Sequence, residues 1–421
     1  MAEPDQTDLL LRQMFEAAVR RVAAERCLPP HLPKPPGPGG KTVVIGAGKA
    51  SASMAAVLEL IWPGELSGLV VTRHGHGAAT EQISVIEAAH PVPDEAGQRA
   101  AKEILGLVSG LGADDLLICL ISGGGSALLS LPAPGLSLAD KQALTQALLA
   151  SGAEIAEINC LRKHLSAIKG GRLALAAHPA RVASLAISDV PGDDPAVIAS
   201  GPTEPDPTSF ADARAVLAKY AIEAPSAIQR HLREAKDETP KPGDPRLAGV
   251  ATTIIARPGD GLEAAADFAR RAGIEALILG EAIEGEAREV AAEMAGRALA
   301  LARDRSKPCV LLSGGETTVT LRGKGRGGPN SEFALALALA LQGAPRIHAI
   351  ACDTDGIDGT EDNAGAMIAP GTLRRARAAG LDAESYLADN DSHGFFSRLG
   401  DLVRTGPTLT NIGDFRAIVV G

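Results

Sequence analysis

Short β-branched and leucine-rich runs alternate along the chain with alanine-rich stretches, and glycine or acidic turns stand between them. Thr42–Ile45, Leu69–Thr72, Ile83–Ala88, Leu116–Ile121 and Val182–Ser188 read as buried strands, with helices over Lys49–Ile61 and Glu95–Ser109. Ahead of them Asp8–Cys27 reads as a helix, with Leu9, Leu10, Leu11, Phe15, Val19 and Val22 favouring one side, followed by a Pro/Gly connector over Pro29–Gly40. The polar, proline-rich segment Lys236–Leu247 is the best boundary, because the same grammar restarts after it. Ala251–Ala256, Leu277–Leu279, Cys309–Leu312 and His348–Cys352 read as strands, and Leu262–Arg271, Glu284–Arg303 and Ser331–Leu341 as helices. The expectation is an α/β protein of two domains, residues 1–240 with a mostly parallel, Rossmann-like sheet and residues 248–421 with a second α/β layer. Its active site is expected in the cleft between them.

Composition narrows the partners. Of 421 residues 45% are apolar but only 2% aromatic, and the formal charge is −10. A base-stacking surface and a basic phosphate-backbone groove are both lacking, so nucleic acid is an unsuitable partner, while local cations could still hold a small anion. Five scattered cysteines without C-x-x-C spacing read as buried thiols of a reducing compartment. The acidic, amphipathic N-terminus is unlike a signal peptide and no apolar run spans a bilayer, so a cytoplasmic protein without a membrane partner is expected. Nothing in the chain fixes its oligomeric state, and a homo-oligomer stays open.

Four turns at the carboxyl ends of expected strands carry the chemistry, where ligands bind in open α/β sheets. In the first, Gly46 and Gly48 let backbone approach a ligand and Lys49 stands where a helix begins, which favours an anion. A dinucleotide fingerprint is the competing reading, although Ser51 replaces its third glycine, and a solvated lysine is the plain one. The second, Ser122, Gly123, Gly124, Gly125 and Ser126, offers an anion nest. Ser126 as a nucleophile is disfavoured, since no G-x-S-x-G elbow surrounds it. The third is acidic and occurs twice, in Ser188–Asp194 around Asp189 and in Cys352–Gly359 around Asp353. Carboxylates without His or Cys suit Mg²⁺, and Asx turns are the plain alternative. The fourth couples Ser313–Thr318, with Glu316, to the glycine- and cation-rich loop Arg322–Asn330, which reads as mobile and electropositive. Cations also gather in Asn159–Leu165, including Arg162, and end at Lys169–Arg172, where a basic amphipathic helix covering the sheet is the plain reading.

Taken in order, IGAGKAS, HPVPDE, ISGGGSALL, NCLRKHLS, SDVPGDDPAVIASGPT, LLSGGETTV, GKGRGGPNSEFAL, DTDGIDGTEDNAGA, NDSHGFF and TGPTLTNIGD resemble the MOFRL-type glycerate 2-kinases from Val43 to Asp414. The resemblance implies a glycerate-kinase N-terminal domain followed by a MOFRL-type domain. It also implies ATP-dependent phosphorylation of D-glycerate at the 2-hydroxyl, with Mg²⁺. Lys49 and Arg326 match the family's catalytic lysine and arginine. Asp189 and Asp353 are candidates for metal ligation and for taking the hydroxyl proton, and Glu316, Asn159 and Asn411 for substrate or nucleotide contacts. Two other functions compete: an NAD(P)H-dependent hydroxypyruvate reductase, and a ligand-sensing module without turnover. The reductase lacks a well-placed acid about 20 residues beyond the first turn, where Thr72 and Arg73 end the next strand. A sensor would have little use for Lys49 and Arg326 together with the acidic clusters.

Overall fold

The computed structural model describes residues 6–305 and 307–421, which divide into two compact units. The first, Cys27–Ser188 with Asp193–Ile255, is built on β1 (Thr42–Ala47), β2 (Ser67–Arg73), β3 (Ile83–Ala88), β4 (Leu116–Ile121), β5 (Arg181–Ile187) and β6 (Val250–Ala256). They lie in the order β3-β2-β1-β4-β5-β6, and the pairs β1–β2, β1–β4, β2–β3 and β4–β5 are all parallel. Every residue of β1 and β4 is buried, because helices cover both faces of a parallel sheet, and their unbroken apolar runs follow from that. The order reverses between β1 and β4, which is where such a sheet opens a crevice for a ligand.

The second unit comprises Ala256–Gly421 together with the N-terminal helix Gln6–Val22 and the segment Asp189–Gly192. Its sheet contains β7 (Glu275–Glu286), β8 (Cys309–Thr318), β9 (Ile347–Asp353), β10 (Gly365–Ile368), β11 (Leu402–Val403) and β12 (Asp414–Val420). The order is β11-β10-β9-β12-β8-β7. Only β7–β8 is a parallel pair; β12 runs antiparallel between β8 and β9. The second sheet is therefore mixed.

Several boundaries differ from the sequence reading. The expected division at 240/248 cuts off β6, whose edge position completes the first sheet, so the compact units separate at 255/256 instead. The N-terminal helix belongs to the second unit because Leu11, Met14, Phe15 and Ala18 pack on Leu262, Ala266, Val310 and Phe415, with Phe15 and Phe415 ring centroids 5.7 Å apart. Its buried stripe is Leu11, Met14, Phe15, Ala18 and Val22, at spacings of three and four, whereas Leu9 is exposed. Glu284–Glu286, expected to begin a helix, instead ends a twelve-residue β7 interrupted by register shifts near Gly280, and the helix starts at Ala287. The five cysteines are all buried.

Candidate active site

The first constellation sits at the carboxyl ends of β1 and β4, on either side of the strand-order reversal. Gly46 is buried within β1, and Gly48 turns the chain with φ +138°. A Cβ at Gly48 would lie 2.1 Å from the Ser122 Oγ, so only glycine allows the two turns to meet. They are laced together: the Lys49 N–H donates to the Gly123 carbonyl at 2.9 Å, and the Ala50 N–H donates to the Ser122 Oγ at 2.9 Å. Lys49 precedes the helix Ser51–Ile61 rather than starting it, and is half-buried. Its stem and the His90 ring flank Gly124, which has φ +81°. The N–H groups of Gly123 and Gly124 have no acceptor among the described residues. Gly125 opens the short helix Gly125–Leu128, packed against Ala199.

Ser126 does not resemble a nucleophile. Its hydroxyl meets the Ser200 hydroxyl at 2.8 Å and no histidine among the described residues, and Ser200 donates to Asn159 Oδ1 at 3.0 Å. Arg162 reaches the same Asn159 oxygen at 3.5 Å. The sequence-predicted Ser126, Asn159 and Arg162 thus converge. The basic helix Ile155–His164 divides its charges: Lys163 pairs with Asp206 at 3.5 Å and His164 with Glu238 at 2.8 Å, both in structural roles, while Arg162 takes no carboxylate among the described residues.

In the second unit Asp189 accepts from Asn411 Nδ2 at 2.7 Å, so two residues 222 apart in the chain are joined. Asp353 closes an Asx turn by accepting from the Asp355 N–H at 2.9 Å. Glu316 is exposed on β8. The loop Arg322–Gly328, expected to be mobile, is strapped down. Arg322 and Gly323 N–H groups donate to Asn390 Oδ1 at 2.7 and 3.0 Å, Gly325 N–H to the Asp389 carbonyl at 2.8 Å, and Arg326 N–H to Asp391 Oδ1 at 3.2 Å. A Cβ at Gly325 would stand 2.4 Å from that of Asp391. The exposed Arg326 guanidinium forms a two-point ion pair with Glu361, which holds the arginine above its ordinary pKa. The described residues contain no group of three or more His, Cys, Asp or Glu side chains arranged around a metal.

Sequence reasoning missed Lys141 and Ser200 near Ser126 and counted Lys169 only as one more cation of a basic stretch. Lys141 lies in an ordinary helical run, so its spacing does not mark it. Asp358, read from the sequence only as one of the carboxylates of the second acidic turn, accepts from Asn330 N–H at 2.9 Å, Ser331 N–H at 2.8 Å and Ser331 Oγ at 2.6 Å, fixing the start of the helix Pro329–Leu341. Burial raises this carboxyl to about 6, opposed in part by those donors. A carboxyl raised on folding stabilises most below its unfolded pKa, and that contribution is lost as pH rises through the folded value. Wild type should therefore lose roughly 2 kcal/mol relative to Asp358→Asn between pH 4 and 7. Urea unfolding at stepped pH measures this; a constant difference would refute the burial argument.

Other proteins resemble this chain in sequence and fold. The MOFRL family model matches residues 309–414, and a model described as "Domain of unknown function (DUF4147)" matches residues 10–233. A D-glycerate 2-kinase of Thermotoga maritima is 38% identical over 98% of both chains. The crystal structure of glycerate kinase from that organism superposes with a TM-score of 0.87 at 37% identity, covering 99% of this chain and all of the other. The chain belongs to the MOFRL-type glycerate 2-kinase family. A protein of Agrobacterium vitis named "Putative hydroxypyruvate reductase" is 54% identical, covering 98% of this chain and 94% of its own. Relatives of this chain thus carry two names. No helix among the described residues is long and apolar enough to cross a membrane.

Proposed function

We propose that this family member transfers the γ-phosphoryl group of ATP to the 2-hydroxyl of D-glycerate, giving 2-phosphoglycerate and ADP. The observation that carries the reading is the pairing of Lys49 with the open N–H groups of Gly123 and Gly124 where the strand order reverses. Phosphoryl transfer chiefly needs positioning and positive charge around the equatorial oxygens. The glycerate 2-oxygen forms a bond to the γ-phosphorus, the bond from that phosphorus to the β,γ-bridging oxygen breaks, and the hydroxyl proton leaves to a carboxylate. Lys49 and Arg326 neutralise charge on the migrating group, and the glycine nest holds phosphate oxygens. Asp189, oriented by Asn411, and Asp353 are the carboxylates proposed for the proton and for Mg²⁺. Mg²⁺ usually rests on one or two carboxylates plus nucleotide phosphates, so these donors fit a cation that arrives with ATP and would neutralise its phosphates. Glu316 is proposed as a further nucleotide or substrate contact.

The name carried by the Agrobacterium relative supports a second reading, reduction of hydroxypyruvate with NAD(P)H. Against it stands Ser51, whose hydroxyl donates to the Leu120 carbonyl at 2.9 Å, in place of the fingerprint's third glycine. The purified chain is to be incubated with ATP, Mg²⁺ and D-glycerate, with the phosphorylated product located by ³¹P NMR. A 2-phosphoglycerate signal is expected. NADH oxidation by hydroxypyruvate without any ATP-dependent product would overturn the proposal in favour of the reductase.

A further inference from the structure

Beside Ser126 lies a small cavity of about 50 Å³, lined by Pro91, Pro93, Ser126, Lys141, Arg162 and Lys169 among others. Three of these are cations that the protein has largely removed from water. Lys141 is 8% exposed and Lys169 fully buried. Among the described residues the Lys141 ammonium has no hydrogen-bond partner, and Lys169 donates only to the Ala199 carbonyl, at 3.3 Å. None of the three forms an ion pair with a carboxylate among the described residues, although Lys163, two positions before Leu165 on the same segment, does. Withdrawing an ammonium from water costs several kcal/mol unless a counter-charge is supplied. Burial and the Arg162 charge together bring Lys141 down to about 7, and burial with both neighbouring cations holds Lys169 well below its ordinary value. Among the described residues nothing supplies the missing negative charge.

The surrounding backbone is built to hold this cluster. Ala199, Ser200 and Gly201 all adopt positive φ, at 52°, 61° and 57°. That conformation turns the Ala199 carbonyl to Lys169 and the Ser200 hydroxyl to Ser126 and Asn159. Two consecutive non-glycine residues in this region store strain of the kind found at ligand sites.

Resting on the kinase reading above, we infer that Lys141, Arg162 and Lys169 form the subsite that receives the carboxylate of the acceptor, a small 2-hydroxy acid. Size argues for this anion: the cavity has room for roughly three to five water-sized groups, enough for a carboxylate and too little for a nucleoside. Position argues likewise. Ser126 lines the cavity, and Gly124, two residues earlier, is flanked by Lys49. Two residues of chain reach at most about 7 Å, so a three-carbon acid anchored by its carboxylate turns its hydroxyl toward Lys49 and the glycine nest.

The test compares wild type with Lys141→Met, which keeps the stem and removes the charge, and with Lys141→Arg, which restores it. Lys141→Met is expected to raise KM for D-glycerate about ten- to a hundredfold, the effect of losing a charge-assisted hydrogen bond, while KM for ATP stays unchanged. Its affinity for D-glycerate measured by calorimetry without ATP falls by the same factor, and Lys141→Arg recovers most of both. Its Tm equals or exceeds that of wild type, because an unpartnered buried charge has been removed; a purely structural lysine would give the opposite sign. Arg162→Gln, measured alongside, repeats the KM pattern. An unchanged KM for D-glycerate overturns the inference, and a rise in KM for ATP instead assigns the cluster to nucleotide phosphate. A wild type that makes no 2-phosphoglycerate defeats the kinase reading alone if it still binds D-glycerate in a Lys141-dependent way, and defeats both if it does not bind it.

Discussion

Lys49→Met is expected to lower kcat for ATP-dependent glycerate phosphorylation by about 10³- to 10⁵-fold, the range over which a single transition-state cation acts in phosphoryl transfer. The expectation rests on how the residue is held. Its backbone N–H is fixed to the Gly123 carbonyl, and Thr72 Oγ1 donates to its carbonyl at 3.5 Å, so the ammonium is carried on a positioned main chain. Its stem lies beside Gly124 and His90, next to the open N–H groups. Methionine retains the stem and leaves those backbone bonds in place, so the fold should survive and the loss should fall on kcat rather than on glycerate affinity. Single-turnover kinetics with circular dichroism and Tm as controls would decide it. A folded variant within tenfold of wild type would remove Lys49 from the mechanism.

Arg326→Ala is expected to have an effect of similar size, about 10³-fold or more in kcat. Here the loop itself should not change, because its conformation is set by backbone donors to Asp389, Asn390 and Asp391 and by the His393 N–H donating to the Arg326 carbonyl at 2.9 Å. Only the guanidinium and its pair with Glu361 are lost. Arg326→Lys should recover only part of the rate, since an ammonium lacks the planar fork that grips phosphate oxygens at two points. The pair of variants, assayed at saturating ATP and D-glycerate, separates charge from geometry. Full activity in Arg326→Ala would show that Glu361 holds the arginine for structure alone.

The two halves of the proposed machinery were unequally legible. The turns at Gly46–Ser51 and Ser122–Ser126 could be read directly, because a buried parallel strand is a continuous apolar run and a glycine cluster at its end marks backbone open to close approach. Asp189 and Asn411 were each singled out, but their 2.7 Å contact joins positions 222 residues apart, and no local pattern encodes that. Asp358 looked like one of several turn-forming aspartates; three donors from Asn330 and Ser331 show that it organises a helix start. Lys141 gave no signal at all, since a single lysine in a helix is almost always solvated, and only burial reveals its missing partner.

Apolar runs and the glycines that interrupt them were enough to establish two α/β layers and to place most strands to within a few residues. These features depend on a few neighbouring residues, through alternation, steric freedom at positive φ and the length of a buried strand. Folding decided what depends on distant partners. The N-terminal helix covers the second sheet because its apolar stripe meets Leu262, Ala266 and Phe415. The strand β12 runs antiparallel between β8 and β9, an arrangement set by partners about 60 and 100 residues away that no local pattern in Asp414–Val420 encodes. Three cations are withdrawn around one small cavity because the successive helices Leu138–Ala150 and Ile155–His164 and the turn at Lys169 pack there, and charge burial is a property of that packing rather than of any one segment.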